Sequence, residues 1–278
     1  MEEDTLCASI PLHNLTSLSF SVLPAGFVDK VLRVCAENVK SLRIYRVNLA
    51  AVDSKPCTGD KPRWPLPNLR ALSMKHVGNL PHQVFQELIS NTSPHLHCLK
   101  IHYETPHELC QDASVWQDCK FKVLERLELD SFTTEVVSRI LENSGNPLLS
   151  LHTLKLLSLQ NPKIIATGEI DSMSPSPEPY RKPLVNILDS LPASLQILEM
   201  QACQDPAVCR ELPEYLDRYI SWLPKLRICP TLTLSENVIK DGEMAVLRVA
   251  YFAAARKSGL TLPEGSQYYA LKGYTLSR

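Results

Sequence analysis

Eight short stretches of the chain alternate apolar and polar residues in one spelling, L-x-x-L-x-(L/I/M/F). They are LTSLSF from Leu15, VKSLRI from Val39, LRALSM from Leu69, LHCLKI from Leu96, LERLEL from Leu124, LHTLKL from Leu151, LQILEM from Leu195 and LPKLRI from Leu223. A period of two is that of a half-buried strand, so Leu127 and Leu129 point one way while Arg126, Glu128 and Asp130 point the other. Between the strands the spacing becomes helical, in FVDKVLRVCAEN (27–38), HQVFQELIS (82–90), TEVVSRILEN (134–143), PLVNILDSL (183–191) and EYLDRYISWL (214–223). Thr133 or Thr134 can cap the third of these helices, and the run Ser144, Gly145, Asn146, Pro147 ends it.

The central leucines, Leu18, Leu42, Leu72, Leu99, Leu127, Leu154, Leu198 and Leu226, stand 24, 30, 27, 28, 27, 44 and 28 residues apart. Most of these steps lie near the roughly 20–29 residues of leucine-rich repeats. No single strand–helix unit buries its leucine face alone, but stacked units share one core. The expected fold is therefore α/β: a curved leucine-rich repeat solenoid of about eight irregular repeats, with a parallel sheet inside and helices outside. A doubly wound α/β sheet also alternates strand and helix. It does not require the same leucine spacing in every strand, and no glycine-rich phosphate turn follows any of these.

Two stretches break the period. Residues 161–183, rich in Ser and Pro, read as a flexible insertion, where Ser174 and Ser176, each before a proline, are possible phosphorylation sites. Residues 51–67 make a smaller excursion that carries Trp64, whose ring is expected to pack at the edge of the fold. The solenoid is thus expected over 1–240, and 241–278 as a C-terminal helical cap and tail, with Val246, Leu247, Ala250, Tyr251 and Ala254 along one stripe.

The repeat LQILEMQAC, with Leu195, Leu198, Met200 and Cys203, resembles the leucine-rich repeat consensus ending in Asn or Cys. CAENVKSLRI (35–44) resembles the cysteine-type repeats found behind F-boxes. The likeness covers most of the chain and is to the degenerate, fungal-like repeat domain of F-box/leucine-rich-repeat proteins. The Asn/Cys place is elsewhere held by Leu23, Val47, Val77, Glu104, Phe132 and Leu159, so the usual side-chain ladder is largely missing. The resemblance implies a substrate receptor of a cullin-RING ubiquitin ligase, docked on a Skp-type adaptor through an F-box and holding its substrate on the repeats. No convincing F-box is spelled out; LPAGFVDKVL from Leu23 and LPEYLDRYISWLP from Leu212 come nearest, and an F-box in such a degenerate form or further upstream is the route to that role. The alternative is a free-standing interaction scaffold or inhibitor with no ubiquitin role.

Composition narrows the classes further. Leucine makes up about 15% of the chain, and 44% of the residues are hydrophobic, enough for a sizeable core. Lys+Arg number 29 against 30 Asp+Glu, so no global charge draws the protein to nucleic acid or to a membrane, and neither is an expected partner. Nine cysteines are an odd and sparse set and no secretory signal opens the sequence, which suits a reduced, cytoplasmic or nuclear protein. The N-x-S/T triplets at Asn14 and Asn91 would matter only outside the cell.

Candidate chemistry is thin. The stretch 95–119 holds His95, His97, His102, His107, Cys98, Cys110 and Cys119, but no C-x-x-C or H-x-x-x-H pair, with His107 and Cys110 standing close as H-x-x-C. No G-x-S-x-G supplies an activated serine, and Glu128 and Asp130 read as part of a solvated strand face. No metal, cofactor or catalytic residue is expected. The useful surface is the polar side of the strands, whose central residues are Ser19, Arg43, Ser73, Lys100, Glu128, Lys155, Glu199 and Arg227. Arg43, Tyr45, Lys75, Lys100 and His102 make its early half basic, and Glu128 and Asp130 make the next strand acidic. These seven are the candidate contacts for a protein or peptide partner, with Arg43 and Tyr45 as anchors, since Arg and Tyr dominate interface hot spots.

Overall fold

In a computed structural model of the chain, the structure describes residues 15–49, 63–64, 66–78, 80–103, 111–142, 150–157, 187, 190–203 and 231–234. The expected insertion at 161–183, the cap at 241–278, and the helices at 183–191 (Ile187, Ser190 and Leu191 apart) and 214–223 lie outside the described residues.

Eight strands form one sheet: β1 (Ser17–Ser21), β2 (Ser41–Tyr45), β3 (Ala71–Lys75), β4 (Cys98–His102), β5 (Arg126–Asp130), β6 (Thr153–Leu157), β7 (Ile197–Cys203) and β8 (Thr231–Leu234). The strand order is the chain order and every pairing is parallel. Parallel neighbours need a crossover between them. Helices α1 (Ala25–Cys35), α2 (His82–Thr92) and α3 (Thr134–Glu142) lie between β1 and β2, β3 and β4, and β5 and β6.

The hydrophobic spelling is what sets the register. Leu18, Leu42, Leu72, Leu99, Leu127, Leu154 and Leu198 pair in line across β1 to β7, and so do Phe20, Ile44, Met74, Ile101, Leu129, Leu156 and Met200. A slip of one residue would turn every leucine to water, so the buried face enforces the alignment. The leading apolar residues of six of the stretches make a third layer, with Val39, Leu69, Leu96, Leu124, Leu151 and Leu195 all fully buried. Helices contribute the opposite wall through Ala25, Val28, Val31 and Leu32 of α1, Val84, Phe85, Leu88 and Ile89 of α2, and Val136, Val137, Ile140 and Leu141 of α3. Ala25 apart, each of these side chains stabilises the fold by about 1.5–3 kcal/mol on burial.

The same backbone device opens β1 to β6. The carbonyl of the residue before each strand accepts two N–H groups from the next unit: Thr16 from Lys40 and Ser41, Lys40 from Arg70 and Ala71, Arg70 from His97 and Cys98, His97 from Glu125 and Arg126, Glu125 from His152 and Thr153, and His152 from Gln196 and Ile197. Four strands also end alike. Val22, Arg46, His76 and Ser131 take φ values of 54, 50, 53 and 65°, the left-handed region, directly after β1, β2, β3 and β5. Their N–H groups donate to Tyr45, Lys75, His102 and Leu157 on the neighbouring strand. Val47, Val77 and Phe132 then turn into the core, so apolar packing fills the place where a side-chain ladder of Asn or Cys was missing.

Some expectations are corrected and others are made specific. The eighth strand is Thr231–Leu234, and LPKLRI (223–228) lies outside the described residues. Thr231 therefore stands beside Glu199, where Arg227 was expected. Helix α1 begins two residues earlier than its apolar spacing suggested, because the Pro24 carbonyl accepts the Phe27 and Val28 N–H groups and starts the helix there. Of the two possible caps, Thr133 is the one used, its hydroxyl accepting the Val136 N–H at 3.4 Å. Trp64 is buried, and its indole N–H donates to Asp29 of α1 at 2.9 Å while the Arg63 N–H donates to Glu87 of α2. The excursion thus ends as a wedge tied to two helices.

Candidate functional site

Register decides which polar residues meet. Alternation puts Ser19, Arg43, Ser73, Lys100, Glu128, Lys155 and Glu199 in one row across β1 to β7. Ser21, Tyr45, Lys75, His102, Asp130 and Leu157 make the next row. All seven sequence-predicted residues fall in these two rows, on the polar side of β2 to β5.

Strands β4 and β5 carry an ion-pair cluster. Glu128 accepts from His102 Nε2 at 3.0 Å, and its other carboxylate oxygen forms ion pairs with Lys100 Nζ at 3.0 Å and Arg126 at 3.7 Å. His102 Nδ1 lies 3.7 Å from Asp130. The carboxylates of Asp130 and Glu128 together hold the imidazole protonated, raising its pKa to about 9 against the opposing effect of burial. By distance Glu128 is the hydrogen bond and Asp130 an ion pair, so the shorter contact is the firmer hold. In turn His102 lowers the Glu128 carboxyl to about 2, with Lys100 assisting against burial. The expectation of a solvated acidic face is corrected: the Glu128 side chain is only 13% exposed and its charge is spent on its neighbours.

Strands β2 and β3 differ. Arg43 and Lys75 are exposed, and among the described residues neither meets a carboxylate. Tyr45 is half-buried and pinned, its ring edge-on to His76 at 5.6 Å between centroids, with the Arg46 guanidinium 5.1 Å from its ring centre. Arg46, His76 and Arg126 were missed by sequence reasoning. Arg126 had a signal, an outward position in the strand; Arg46 and His76 had none, since only the left-handed turn sets them beside Tyr45.

The histidine- and cysteine-rich stretch builds packing. Cys119 is fully buried, and desolvation followed by the Asp118 charge pushes its thiol up to about 12, so it stays protonated and is a poor metal ligand. Nearby Trp116 stacks edge-on against Phe85 at 5.2 Å and Phe132 at 5.9 Å, joining α2 to the loop after β5. His107 and Cys110 lie outside the described residues. Among the described residues no group of three His, Cys, Asp or Glu is placed to hold a metal ion, and no helix is long and apolar enough to cross a membrane.

The described residues thus form an α/β fold with an all-parallel sheet and a polar, partly basic face. Compared with known proteins, the chain matches no family model and no curated protein.

Proposed function

We propose that the chain is a leucine-rich repeat solenoid of about eight irregular repeats, curved with its sheet inside and its helices outside, that works by binding a protein or peptide on the sheet's polar face. The observation that carries this reading is the register. Equivalent residues of seven consecutive strands fall in line, so the longer polar row runs about 29 Å across the sheet and the shorter about 24 Å, at roughly 4.8 Å per strand. That is the width of a protein contact rather than of a small-molecule pocket. The shifted groups on the described residues, His102, Glu128 and Cys119, are accounted for by pairing and packing, and catalysis has no part in the proposal. Neither nucleic acid nor membrane is a proposed partner, and cytoplasm or nucleus is the proposed compartment.

Within that reading, the resemblance to F-box/leucine-rich-repeat proteins supports a substrate receptor of a cullin-RING ligase, bound to a Skp-type adaptor. One observation favours the free-standing scaffold instead. The F-box-like stretch at Leu23 is the helix α1, a single crossover between paired strands whose Ala25, Val28, Val31 and Leu32 are buried in the core. The other such stretch, from Leu212, lies outside the described residues. Affinity purification of the tagged chain, with mass spectrometry and an Arg43→Ala/Tyr45→Ala variant beside it, tests both. A specific partner lost in the variant supports the binding face. Adaptor and cullin among the partners select the ligase reading, and a partner without them selects the scaffold.

A further inference from the structure

We propose that the partner meets this face through an extended acidic segment, held by Arg43 and Lys75. This rests on the protein-binding reading and narrows it to a chemistry. Strand β5 offers no attraction to a basic partner, because Glu128 and Asp130 are already met by Lys100, His102 and Arg126, three cations around two carboxylates. One strand pair away the balance is opposite. Arg43 and Lys75 project exposed from β2 and β3 with no carboxylate partner among the described residues, and exposed Arg46 adds a third positive charge at the end of β2. The uncompensated charge of the described face is therefore positive and local. Burial, helped by Glu128, raises the Cys98 thiol on β4, while the charges of Lys100, Arg126 and, least of these, Arg43 pull against it.

Geometry sets the form of the segment. Arg43 and Lys75 lie on adjacent strands offset by two residues, which separates them by about 8 Å. Acidic side chains two positions apart on an extended chain stand about 7 Å apart, so one such pair reaches both cations. Tyr45 lies between them in the register, in line with Lys75 and two residues from Arg43, and its ring is already held by His76 and Arg46. A preordered ring loses little freedom on binding, which suits an anchor.

The test uses the full chain and a fluorescein-labelled peptide of alternating Glu and Ser, followed by anisotropy at low and then rising salt. A Lys–Ser peptide of equal length and an oligothymidylate are the comparisons. The acidic peptide is expected to bind in preference to both, and salt to weaken it. Arg43→Glu/Lys75→Glu should cost about tenfold or more in affinity. Lys122→Glu/Arg139→Glu makes the same change in charge at exposed sites off this face, and should cost less than about twofold. Because Arg43 and Lys75 are exposed, the reversed variant should melt as wild type does; Arg43→Gln/Lys75→Gln, with a smaller loss, serves if it does not. No binding of the acidic peptide, tighter binding of the basic peptide or the oligonucleotide, or equal loss in both reversed variants overturns the inference. If the acidic peptide fails while capture of a protein partner still depends on Arg43 and Tyr45, only the acidic chemistry falls. If capture is indifferent to them, the binding face falls with it.

Discussion

His102 ties the polar face together, and its titration is a direct readout of that role. Its folded pKa of about 9 lies above the ordinary 6.5, so the stability it contributes is complete below about 6.5 and is lost as pH rises through about 9. Glu128 has the opposite sign: held near 2 against an ordinary 4.5, it contributes fully above about 4.5 and loses that as pH falls through about 2. Unfolding titrations across pH should therefore show a plateau between about 4.5 and 6.5 from this cluster, and His102→Gln should flatten the decline between 6.5 and 9. A second residue-scale expectation concerns Val22, a β-branched side chain held at φ 54° and 72% exposed. Val22→Gly relieves that conformation without leaving a hole, and urea melts should show a gain of about 0.5–1 kcal/mol, net of the entropy glycine adds to the unfolded chain. Which side of a strand each residue occupies was legible from alternation alone. That Glu128 would be consumed by His102 and Lys100 was not, because a pairing across strands depends on a register that no single stretch of sequence states.

At the scale of elements, the spelling L-x-x-L-x-L carries most of the information, because three of its positions become the three stacked apolar layers. Leu127, fully buried at the centre of β5, should cost about 2–5 kcal/mol when changed to alanine, whereas Val34→Ala on the exposed side of α1 should cost less than about 0.5. Denaturant midpoints of the two variants check this. Helix α3 was also legible, its cap to within two neighbouring threonines, and Thr133→Ala should cost about 0.5–1 kcal/mol by the same measurement, the low side of the range following from a 3.4 Å bond. The left-handed turns after β1, β2, β3 and β5 were illegible. Valine, arginine, histidine and serine hold them in place of the glycine or asparagine that marks such a turn, and the bond to the next strand together with the apolar residue that follows does the work. The eighth strand was misplaced for a related reason. TLTL alternates as well as LPKLRI does, and local periodicity cannot choose between two strand-like stretches a few residues apart.

For the molecule as a whole, the alternation of strand and helix with short, similar steps was enough to predict a parallel sheet in chain order, since each unit can bury its leucine face only against its neighbours. The candidate face followed from the same alternation, and all seven named residues lie on it. Its charge balance did not follow, because the basic and acidic halves read from the sequence partly cancel across β4 and β5 and leave the positive end at β2 and β3. Whether a protein partner rests on this face is decided by a photo-crosslinking amino acid placed at Ser73, between Arg43 and Lys100 in the register. The same group at Arg139, exposed on α3, is the control. Irradiation in native cells should join the partner to the Ser73 position and leave the Arg139 position free; a crosslink at Arg139 with none at Ser73 would place the partner on the helices and contradict the claim.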